Sequence, residues 1–561
     1  MKYKNFWIII TLIFLFIIGS YFRLINLSTN PPSLFSDEVD AQYQAFIYKK
    51  CGTDYFGNKF PIHFQSFSDY RTPIFIRTIA LFNSVRLSQA IFGIFSLIII
   101  LLILKQIFPK NKIVWIYGLF ISSFSFWLIH YSRTGFEVSQ MIFFLLLFIL
   151  FWLKFIKKPN LYFISFSLIS LILSFYTYST AKLFVILLLP FIFFIWRKEI
   201  LSLGIKKLSI LVVICSFLVL PMISDTISGR SGYRFSYINI FSDPTISKEV
   251  DYQRYLDSTV KYGQQIGLSP DLSSKLIHNK IVLWSNKFIN NYFQSFSTQF
   301  LFLKGDGNLR QGFGFLGYLF FTEVILIIFG LGLVLKKKDK FTTFMFFWLI
   351  LAPIPYALTR DSAFTHATRL ITILPALMYF SILGFNQLSK LKYQKIFIFL
   401  IFFVNICQLT YFWHYYNIHY PQISAKEWHY GIDITLNKIK ENYNNSPKIF
   451  FSSNPEPILP FFLWNFKYQP TNNPCAPAKE IIWDNNDTFN ALVAENKYYF
   501  GHFEWSQFKN SSYLNNENIF MISSKDKETI DSQNIRYEIL YELDKKYIEQ
   551  EIYYLIRFNH D

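Results

Sequence analysis

The chain has 561 residues, of which 52% are hydrophobic, 20% aromatic and only 16% charged. Phe, Ile and Leu recur in blocks of roughly 18 to 22 residues, about the length that a helix needs to cross a bilayer, so the composition excludes a soluble protein and indicates a mainly α, polytopic membrane protein. The net charge of +18 is typical of nucleic-acid binding too, but the Lys and Arg residues cluster in short connections between apolar blocks, and we expect no nucleic-acid partner.

Apolar segments of spanning length occur eleven times along the chain, so about eleven transmembrane helices are predicted. The first follows Lys2 and Lys4 without a small-residue cleavage site, and we expect it to be retained as a span. The predicted spans are 6–27, 88–108, 113–131, 138–156, 161–178, 181–197, 208–224, 315–335, 341–358, 370–387 and 395–414.

Basic clusters fall at every second connection between these spans. Because Lys and Arg accumulate in short cytoplasmic loops, the pattern predicts a multi-pass protein of the cell membrane with a cytoplasmic N-terminus. Two of the extracytoplasmic connections, 28–87 and 225–314, are long enough to carry function. The other predicted outer segments are 132–137, 359–369 and 415–561.

After about residue 415 charged residues and Asn become frequent, and short β-like runs appear around a helical start at 426–441. This change predicts a membrane domain over 1–415, followed by a soluble, extracytoplasmic α/β domain over 416–561. The β-like runs are 448–452, 497–503, 518–523 and 552–558.

The four cysteines are too few for a disulfide framework. Cys215 and Cys407 lie in apolar blocks and have the sequence context of small core residues. Cys51 and Cys475 both fall in predicted outer segments, which leaves a bridge between them open.

Residues 36–40 read SDEVD and follow the first span, where clustered carboxylates are unexpected. One interpretation is a helix N-terminus that runs to about residue 49, with Ser36 as the cap and Asp37 and Glu38 near the positive end of the helix dipole. The other is a carboxylate at the membrane surface that acts as a general base. The two interpretations are compatible.

Arginine recurs beside carboxylates or His in four more predicted outer stretches. Local explanations exist, such as an ion pair in a turn or a snorkelling Arg at the lipid headgroups. Arginines on one membrane face can instead bind phosphate while a carboxylate deprotonates a hydroxyl, which predicts a site for a phosphate-bearing lipid. The stretches contain Asp69, Tyr70 and Arg71; Arg86; His130, Arg133 and Glu137; and His366 and Arg369.

The order of these motifs resembles the polytopic glycosyltransferases of the GT-C fold, in the branch of the dolichyl-phosphate-mannose protein mannosyltransferases and the bacterial lipid A aminoarabinose transferases. The resemblance covers residues 1–415, and the GDGNLRQ stretch at 305–311 is similar to bacterial members. Arg71-Thr72-Pro73 stands where the mannosyltransferases have His-Pro-Pro, and Glu137 where related enzymes often have Asp. The matching motifs are Asp37-Glu38, Asp69-x-Arg71-x-Pro73, Arg86 within VRLSQAIFG, Ser132-Arg133 followed by Glu137, and His366-x-x-Arg369.

The resemblance implies an inverting enzyme that moves a hexose or pentose from a polyprenyl-phosphate donor to a hydroxyl on an acceptor protein, glycolipid or polymer outside the cytoplasm. Asp37 matches the catalytic base, and Glu38, its neighbour in the acceptor or donor site, is the second expected catalytic residue. No cofactor is required, although a divalent cation at Asp69, Glu137 or His366 is left open. Arg71, Arg86, Arg133 and Arg369 are the expected donor-phosphate ligands, and Asp69, Tyr70, Glu137 and His366 the expected substrate contacts.

Two other functions stay open at this point. A polytopic lipid or glycolipid transporter is one, but transporters place ionisable residues or broken helices near the bilayer midplane. Here the centres of the predicted spans are nearly free of charge, with Lys182 and Glu323 near span ends. The other is a receptor or cell-wall-binding protein that keeps a vestigial transferase core.

Overall fold

The structure, a computed structural model of the chain, describes residues 2–67, 69–230, 232–262, 270–336, 339–360, 365–485, 487–508, 511 and 513–558. Residues 361–364 of the predicted outer turn 359–369, and residues 231 and 263–269 of the predicted loop 225–314, lie outside this part.

Helices dominate the chain as far as residue 424, and helices and strands alternate after it. The first fourteen helices are α1 (Lys2–Leu24), α2 (Ser36–Cys51), α3 (Pro73–Phe82), α4 (Val85–Ile107), α5 (Lys112–Ser123), α6 (Phe126–Arg133), α7 (Val138–Lys157), α8 (Leu161–Phe175), α9 (Ser179–Leu201), α10 (Ile205–Ile227), α11 (Tyr233–Ile238), α12 (Thr245–Tyr262), α13 (Leu272–Ile277) and α14 (Lys280–Gln294). The others are α15 (Phe321–Lys336), α16 (Lys340–Leu351), α17 (Ile354–Ala357), α18 (Ala367–Leu370), α19 (Leu374–Leu388), α20 (Gln394–Ser424), α21 (Ile432–Lys438), α22 (Leu459–Asn465), α23 (Trp505–Phe508) and α24 (Ser524–Ser532).

Each of the eleven predicted spans coincides with an apolar helix or a pair of helices. Within the described residues, eight helices are long and apolar enough to cross a membrane, and the α5–α6 pair, bent by 45°, makes a ninth. The remaining two predicted spans correspond to α8 and α15, which are apolar but shorter. The prediction of a mainly α, polytopic membrane protein is therefore confirmed.

The chain divides into two compact units, and the first consists of Met1–Gly19, Phe95–Ile129 and Gln140–Leu409. Two glycines let α15 and α19 approach closely in this unit. A Cβ at Gly330 would lie 2.0 Å from the carbonyl oxygen of Phe380, and one at Gly384 would lie 2.0 Å from that of Leu326. Small residues at such helix contacts allow close backbone packing in the absence of a hydrophobic driving force.

The second unit consists of Ser20–Ile94, His130–Ser139 and Thr410–Asp561, and its centre is a mixed sheet of seven strands in the order β4-β5-β6-β3-β7-β9-β8. Strand β3 pairs in parallel with β6 and β7, and the other neighbouring strands are antiparallel. A short hairpin, β1 (Phe64–Gln65) with β2 (Tyr70–Arg71), belongs to the same unit. The sheet strands are β3 (Ile449–Ser452), β4 (Ile481–Asn485), β5 (Phe489–Ala494), β6 (Tyr498–Phe503), β7 (Ile519–Ser523), β8 (Tyr537–Glu542) and β9 (Tyr553–Phe558).

Alternate residues of the central strands enter two separate hydrophobic cores, as the two-residue period of a strand requires. Phe451 and Phe500 lie in one core together with Val39 and Tyr43 of α2. Phe450 lies in the core on the other face. The first outer loop thus belongs to the same compact unit as the C-terminal sheet. The predicted domain boundary at 415/416 stays a prediction.

The bridge between Cys51 and Cys475 is formed, with 5.6 Å between the two Cα atoms. It joins the last residue of α2 to the loop before β4, so the first outer loop and the C-terminal sheet are connected covalently within the second unit. Cys215 and Cys407 are free thiols.

Candidate active site

The SDEVD stretch forms the first turn of α2. Ser36 is the first helical residue and Phe35 occupies the cap position, so the prediction that Ser36 caps the helix was wrong by one residue. Glu38 does the capping, because its Oε2 accepts the backbone N–H of Phe35 at 3.2 Å. Asp37 and Asp40, three residues apart, lie on one side of the helix.

The β1–β2 hairpin places Arg71 against that side of α2. Its Nη2 donates to Asp37 Oδ1 at 2.7 Å, and its Nε donates to Asp40 Oδ2 at 2.9 Å. Burial lowers the pKa of Arg71, but the charges of Asp37, Asp40 and Glu137 outweigh it and hold that pKa well above its usual range. The guanidinium therefore remains charged at every physiological pH.

The three members of this cluster differ in exposure. The side chains of Arg71 and Asp40 are 7% and 9% exposed, whereas that of Asp37 is 42% exposed. Asp40 also accepts hydrogen bonds from Tyr55 at 2.8 Å and from Ser66 at 2.7 Å, so it anchors the arginine. Asp37 is thus a fixed carboxylate that solvent or a substrate can still reach.

Sequence reasoning did not assign a role to Asp40 or to Asp54. The signal that was missed for Asp40 is its spacing of three residues from Asp37, which places both carboxylates on one side of the predicted helix. Asp54 is fully buried and shapes the loop after α2, since it accepts the backbone N–H groups of Phe56, Asn58 and Gln65 at 2.9–3.1 Å. Its contacts are those of a structural carboxylate.

Glu38 is fully buried and forms a closed ion pair with Arg86, 2.9 Å between Oε2 and Nη2. Glu38 Oε1 also accepts the backbone N–H of Gly135 at 2.5 Å, and a Cβ at Gly135 would lie 2.7 Å from Glu38 Cγ. Only glycine permits this approach without a shift of its neighbours. Glu38 therefore joins the starts of α2 and α4 to the segment 133–137.

All five N–H groups of Arg86 have protein acceptors. Besides Glu38, they donate to the backbone carbonyls of Leu27, Pro31 and Ser33, and the guanidinium lies 5.3 Å from the centre of the Trp428 ring. A phosphate contact by Arg86 would require one of these bonds to break. The geometry favours a structural role for Arg86 over the predicted phosphate contact.

Arg133 has a similar environment at the end of α1. It is fully buried, and its terminal nitrogens donate to the carbonyls of Phe22, Ile25 and Asn30 at 2.6–2.9 Å. A cation at the C-terminal carbonyls of a helix is stabilised by the helix dipole. Here too the geometry favours a structural role over the predicted contact with the donor.

The other predicted residues of the second unit lie around the Asp37–Arg71 pair. Tyr70 and Arg71 form β2, and Asp69, in the hairpin turn, accepts the backbone N–H of Tyr70 at 2.7 Å. Glu137 is close enough to raise the pKa of Arg71. The structure thus brings Asp37, Arg71 and Glu137 into one electrostatic neighbourhood.

His366 and Arg369 belong to the first unit, where they lie beside the GDGNLRQ stretch. His366 Nδ1 is 3.1 Å from Gln311 Oε1, and Asp306 Oδ2 accepts the backbone N–H of Ala367 at 2.9 Å. Burial raises the pKa of Asp306 to about 6, against hydrogen bonds and the charge of Arg369, which lower it. Two motifs far apart in the chain therefore form one cluster.

Within the part of the chain that the structure describes, no group of three or more His, Cys, Asp or Glu side chains has the arrangement of a metal site. The expected cation site at Asp69, Glu137 or His366 stays a prediction.

Comparison with solved structures identifies the fold. ArnT from Cupriavidus metallidurans in the apo state matches with a TM-score of 0.50 at 8% sequence identity, over 98% of this chain and 98% of that chain. The same protein bound to undecaprenyl phosphate matches with a TM-score of 0.44 at 9% identity, also over 98% of both chains. No protein-family model and no curated protein matches the chain.

The archaeal oligosaccharyltransferase AglB from Archaeoglobus fulgidus, in complex with an inhibitory peptide and a dolichol-phosphate, matches with a TM-score of 0.45 at 14% identity. The match covers 79% of this chain and 59% of AglB, so the chain spans less than two thirds of that protein's length. At these identities the likeness to ArnT shows a common fold, which is the GT-C fold that the sequence predicted.

Proposed function

We propose that the protein is a membrane glycosyltransferase that moves a hexose or pentose from a polyprenyl-phosphate donor to an acceptor hydroxyl on the extracytoplasmic face. The observation that carries this proposal is the partly exposed carboxylate of Asp37, fixed by the buried and permanently charged Arg71. The GT-C fold supports it, and the polyprenyl-phosphate class of donor is taken over from ArnT as part of the proposal.

In the proposed reaction the acceptor hydroxyl oxygen attacks the anomeric carbon from the side opposite the phosphate, which inverts the configuration. The bond between the anomeric carbon and the phosphate oxygen breaks, and the polyprenyl phosphate leaves with the bonding electrons. Asp37 takes the proton of the attacking hydroxyl. Positioning of the hydroxyl against a fixed carboxylate lowers the activation barrier by roughly several kcal/mol.

Arg71 has two roles in this scheme. Its bonds to Asp37 and Asp40 hold the base in place, and its charge stabilises negative charge that develops on the departing phosphate. Arg369 stays a proposed phosphate ligand, whereas we assign Arg86 and Arg133 to the scaffold. Asp69, Tyr70, Glu137 and His366 stay proposed substrate contacts.

The disulfide supports an extracytoplasmic placement of this site. Disulfide bonds persist in oxidising compartments and are rare in the cytosol. Because Cys51 is the last residue of the helix that carries Asp37, the bridge and the candidate base belong to the same helix. The extracytoplasmic placement agrees with the distribution of Lys and Arg among the loops.

The experiment that tests the proposal compares cells with and without the protein by mass spectrometry of surface glycans, glycolipids and glycoproteins. Loss of one hexose or pentose from a defined acceptor, restored by the wild-type chain and not by Asp37→Asn, is the expected result. Identical surface glycans in the two strains, together with altered lipid distribution across the membrane, would contradict it and favour a transporter.

A further inference from the structure

A cleft in the first unit lies between α12 and the start of α14. One wall consists of four α12 residues at spacings of three or four positions, which place them on one side of that helix, and the other wall comes from residues 279–281. The cleft has a volume of about 520 Å³, within the range of roughly 300–1,000 Å³ that small-molecule sites occupy. Its α12 residues are Ser247, Val250, Asp251 and Arg254.

Polar contacts connect the two walls of the cleft. Arg254 Nε donates to the carbonyl of His278, which lies just before α14, at 2.8 Å. Lys287 Nζ, on α14, lies 3.6 Å from a carboxylate oxygen of Asp243 and 3.9 Å from one of Glu249. These contacts fix α12 against α14, so the space between them is bounded by two helices.

Arg254 keeps donors for a ligand after this contact. The residue is half-buried, and within the described part of the chain no group accepts a hydrogen bond from its two terminal nitrogens. Lys280, on the opposite wall, is exposed and forms no ion pair with a described residue. A guanidinium with both terminal nitrogens available binds phosphate oxygens bidentately, and a lysine beside it adds a second positive charge. Arg254 differs in this respect from Arg86, whose N–H groups all have protein acceptors.

The first turn of α14 adds backbone donors to these side chains. Asn279 caps the helix, since its Oδ1 accepts the backbone N–H of Val282 at 3.0 Å. The N–H groups of Lys280 and Ile281 have no acceptor within the helix, and both residues line the cleft. Such groups favour an anion, in agreement with the two cationic side chains.

The charges of the lining favour a phosphodiester over a phosphate monoester. Arg254 and Lys280 carry two positive charges and Asp251 one negative charge, so the lining has a net charge of +1. A singly charged diester balances it, whereas a monoester carries about −1.5 to −2 charges at pH 7 and leaves negative charge in excess beside Asp251. The Asp251 carboxylate can also accept a hydrogen bond from a hydroxyl group of the ligand.

The surroundings of the cleft indicate a membrane lipid as the source of the phosphodiester. Tyr292 of α14 donates its hydroxyl to the carbonyl of Ile350 at 2.9 Å, near the end of the apolar segment Lys340–Ala357, which is long enough to span a membrane. Next to the cleft, α13 and α14 expose large apolar side chains, as helices at a membrane interface do. These side chains, between 59% and 75% exposed, are Leu272, Leu276, Ile277 and Ile281.

We propose that this cleft binds the headgroup of an anionic phospholipid, with the phosphate on Arg254 and Lys280 and a headgroup hydroxyl on Asp251. The acyl chains then lie against the exposed apolar side chains of α13 and α14. The bound lipid fixes these two helices at the membrane surface. This site is independent of the proposed transferase function.

The test measures lipid binding to the full-length protein in detergent by native mass spectrometry. The probes are phosphatidylglycerol, phosphatidylcholine, undecaprenyl phosphate and inorganic phosphate. We expect phosphatidylglycerol to bind at least about fivefold more tightly than phosphatidylcholine, because only the first balances the charge of the lining. Arg254→Ala should weaken the binding of phosphatidylglycerol at least about tenfold. Lys248→Ala is the matched control, since Lys248 is an exposed lysine of α12 outside the lining.

Lys280→Ala removes an exposed side chain, so it stays informative if Arg254→Ala folds poorly, and it should weaken binding about threefold. The proposal is overturned if phosphatidylcholine binds as tightly as phosphatidylglycerol, or if Lys280→Ala binds phosphatidylglycerol as the wild type does. An equal loss of affinity in Lys248→Ala would show general attraction to a basic surface and would overturn it too. Displacement of phosphatidylglycerol by undecaprenyl phosphate or by inorganic phosphate at equal concentration would replace the phospholipid site with a site for a phosphate monoester.

Discussion

Asp37 and Glu38 are neighbours in the chain, but their carboxylates pair with different arginines, and only that of Asp37 is exposed to solvent. Asp37 is 42% exposed and binds Arg71, whereas Glu38 is fully buried and binds Arg86. A helix turns by about 100° per residue, so adjacent side chains point in different directions. The carboxylate pair of SDEVD thus separates into an accessible group and a structural group.

Asp37→Asn should lower transfer from a polyprenyl-phosphate sugar at least about a hundredfold, the usual scale for loss of a general base. Stability should change by only about 0–1 kcal/mol, because the lost ion pair is partly exposed and Arg71 keeps Asp40. Product formation by the purified protein is the measurement. Asp544→Asn, an exposed carboxylate outside the site, is the control, and equal activity of the two variants would remove Asp37 from the mechanism.

Glu38→Gln should chiefly lower the stability of the fold. The substitution leaves the buried Arg86 guanidinium without its carboxylate, and removal of one partner of a buried pair costs about 3–5 kcal/mol. Thermal unfolding in detergent should show a lower midpoint than in the wild type, and no change in Glu528→Gln, which is exposed on α24. A normally stable Glu38→Gln protein without activity would instead return Glu38 to the catalytic group.

The sequence predicted the elements that depend on local pattern. The eleven apolar segments, the helix over SDEVD and four of the seven sheet strands follow from composition and period. Strand β8 was missed because its residues are mostly exposed or half-buried and lack a clear alternation. The position of Asp37 beside Arg71 also agreed with the expected neighbourhood of acid and arginine.

The roles of Arg86 and Arg133 were beyond sequence reasoning for a different reason. An arginine at the outer end of a span has the same local sequence whether it binds a phosphate or backbone carbonyls. The acceptors of Arg86 come from residues 27–38, about fifty positions earlier, and those of Arg133 lie more than a hundred positions away. Only the tertiary structure shows that all five N–H groups of Arg86 and the terminal nitrogens of Arg133 already have acceptors.

Loss of the disulfide should destabilise the second unit. The bridge closes a segment of 424 residues, and native disulfides contribute about 2–5 kcal/mol, chiefly by restricting the unfolded chain. We expect Cys51→Ser with Cys475→Ser to lower the midpoint of thermal unfolding, and a reducing agent to do the same to the wild type. Cys215→Ser, which removes a free thiol, is the control. Four reactive thiols in the unreduced, unfolded protein would contradict the bridge.

Asp306, which lies in the cluster formed by GDGNLRQ and His366, should make the free energy of unfolding depend on pH. The buried carboxyl has a pKa of about 6 in the folded protein and about 3.8 in the unfolded chain. A folded-state pKa that is raised stabilises the fold fully below the unfolded value, and this contribution is lost as the pH rises through 6. From pH 7 to pH 5 the wild type should therefore gain about 1 kcal/mol of unfolding free energy relative to Asp306→Asn. Urea titrations of both proteins at the two pH values measure this difference.

An equal response of the two proteins to pH would show that Asp306 does not titrate in this range. A gain in unfolding free energy at higher pH would mean that the hydrogen bonds from the backbone N–H groups of Asn308 and Ala367 outweigh burial.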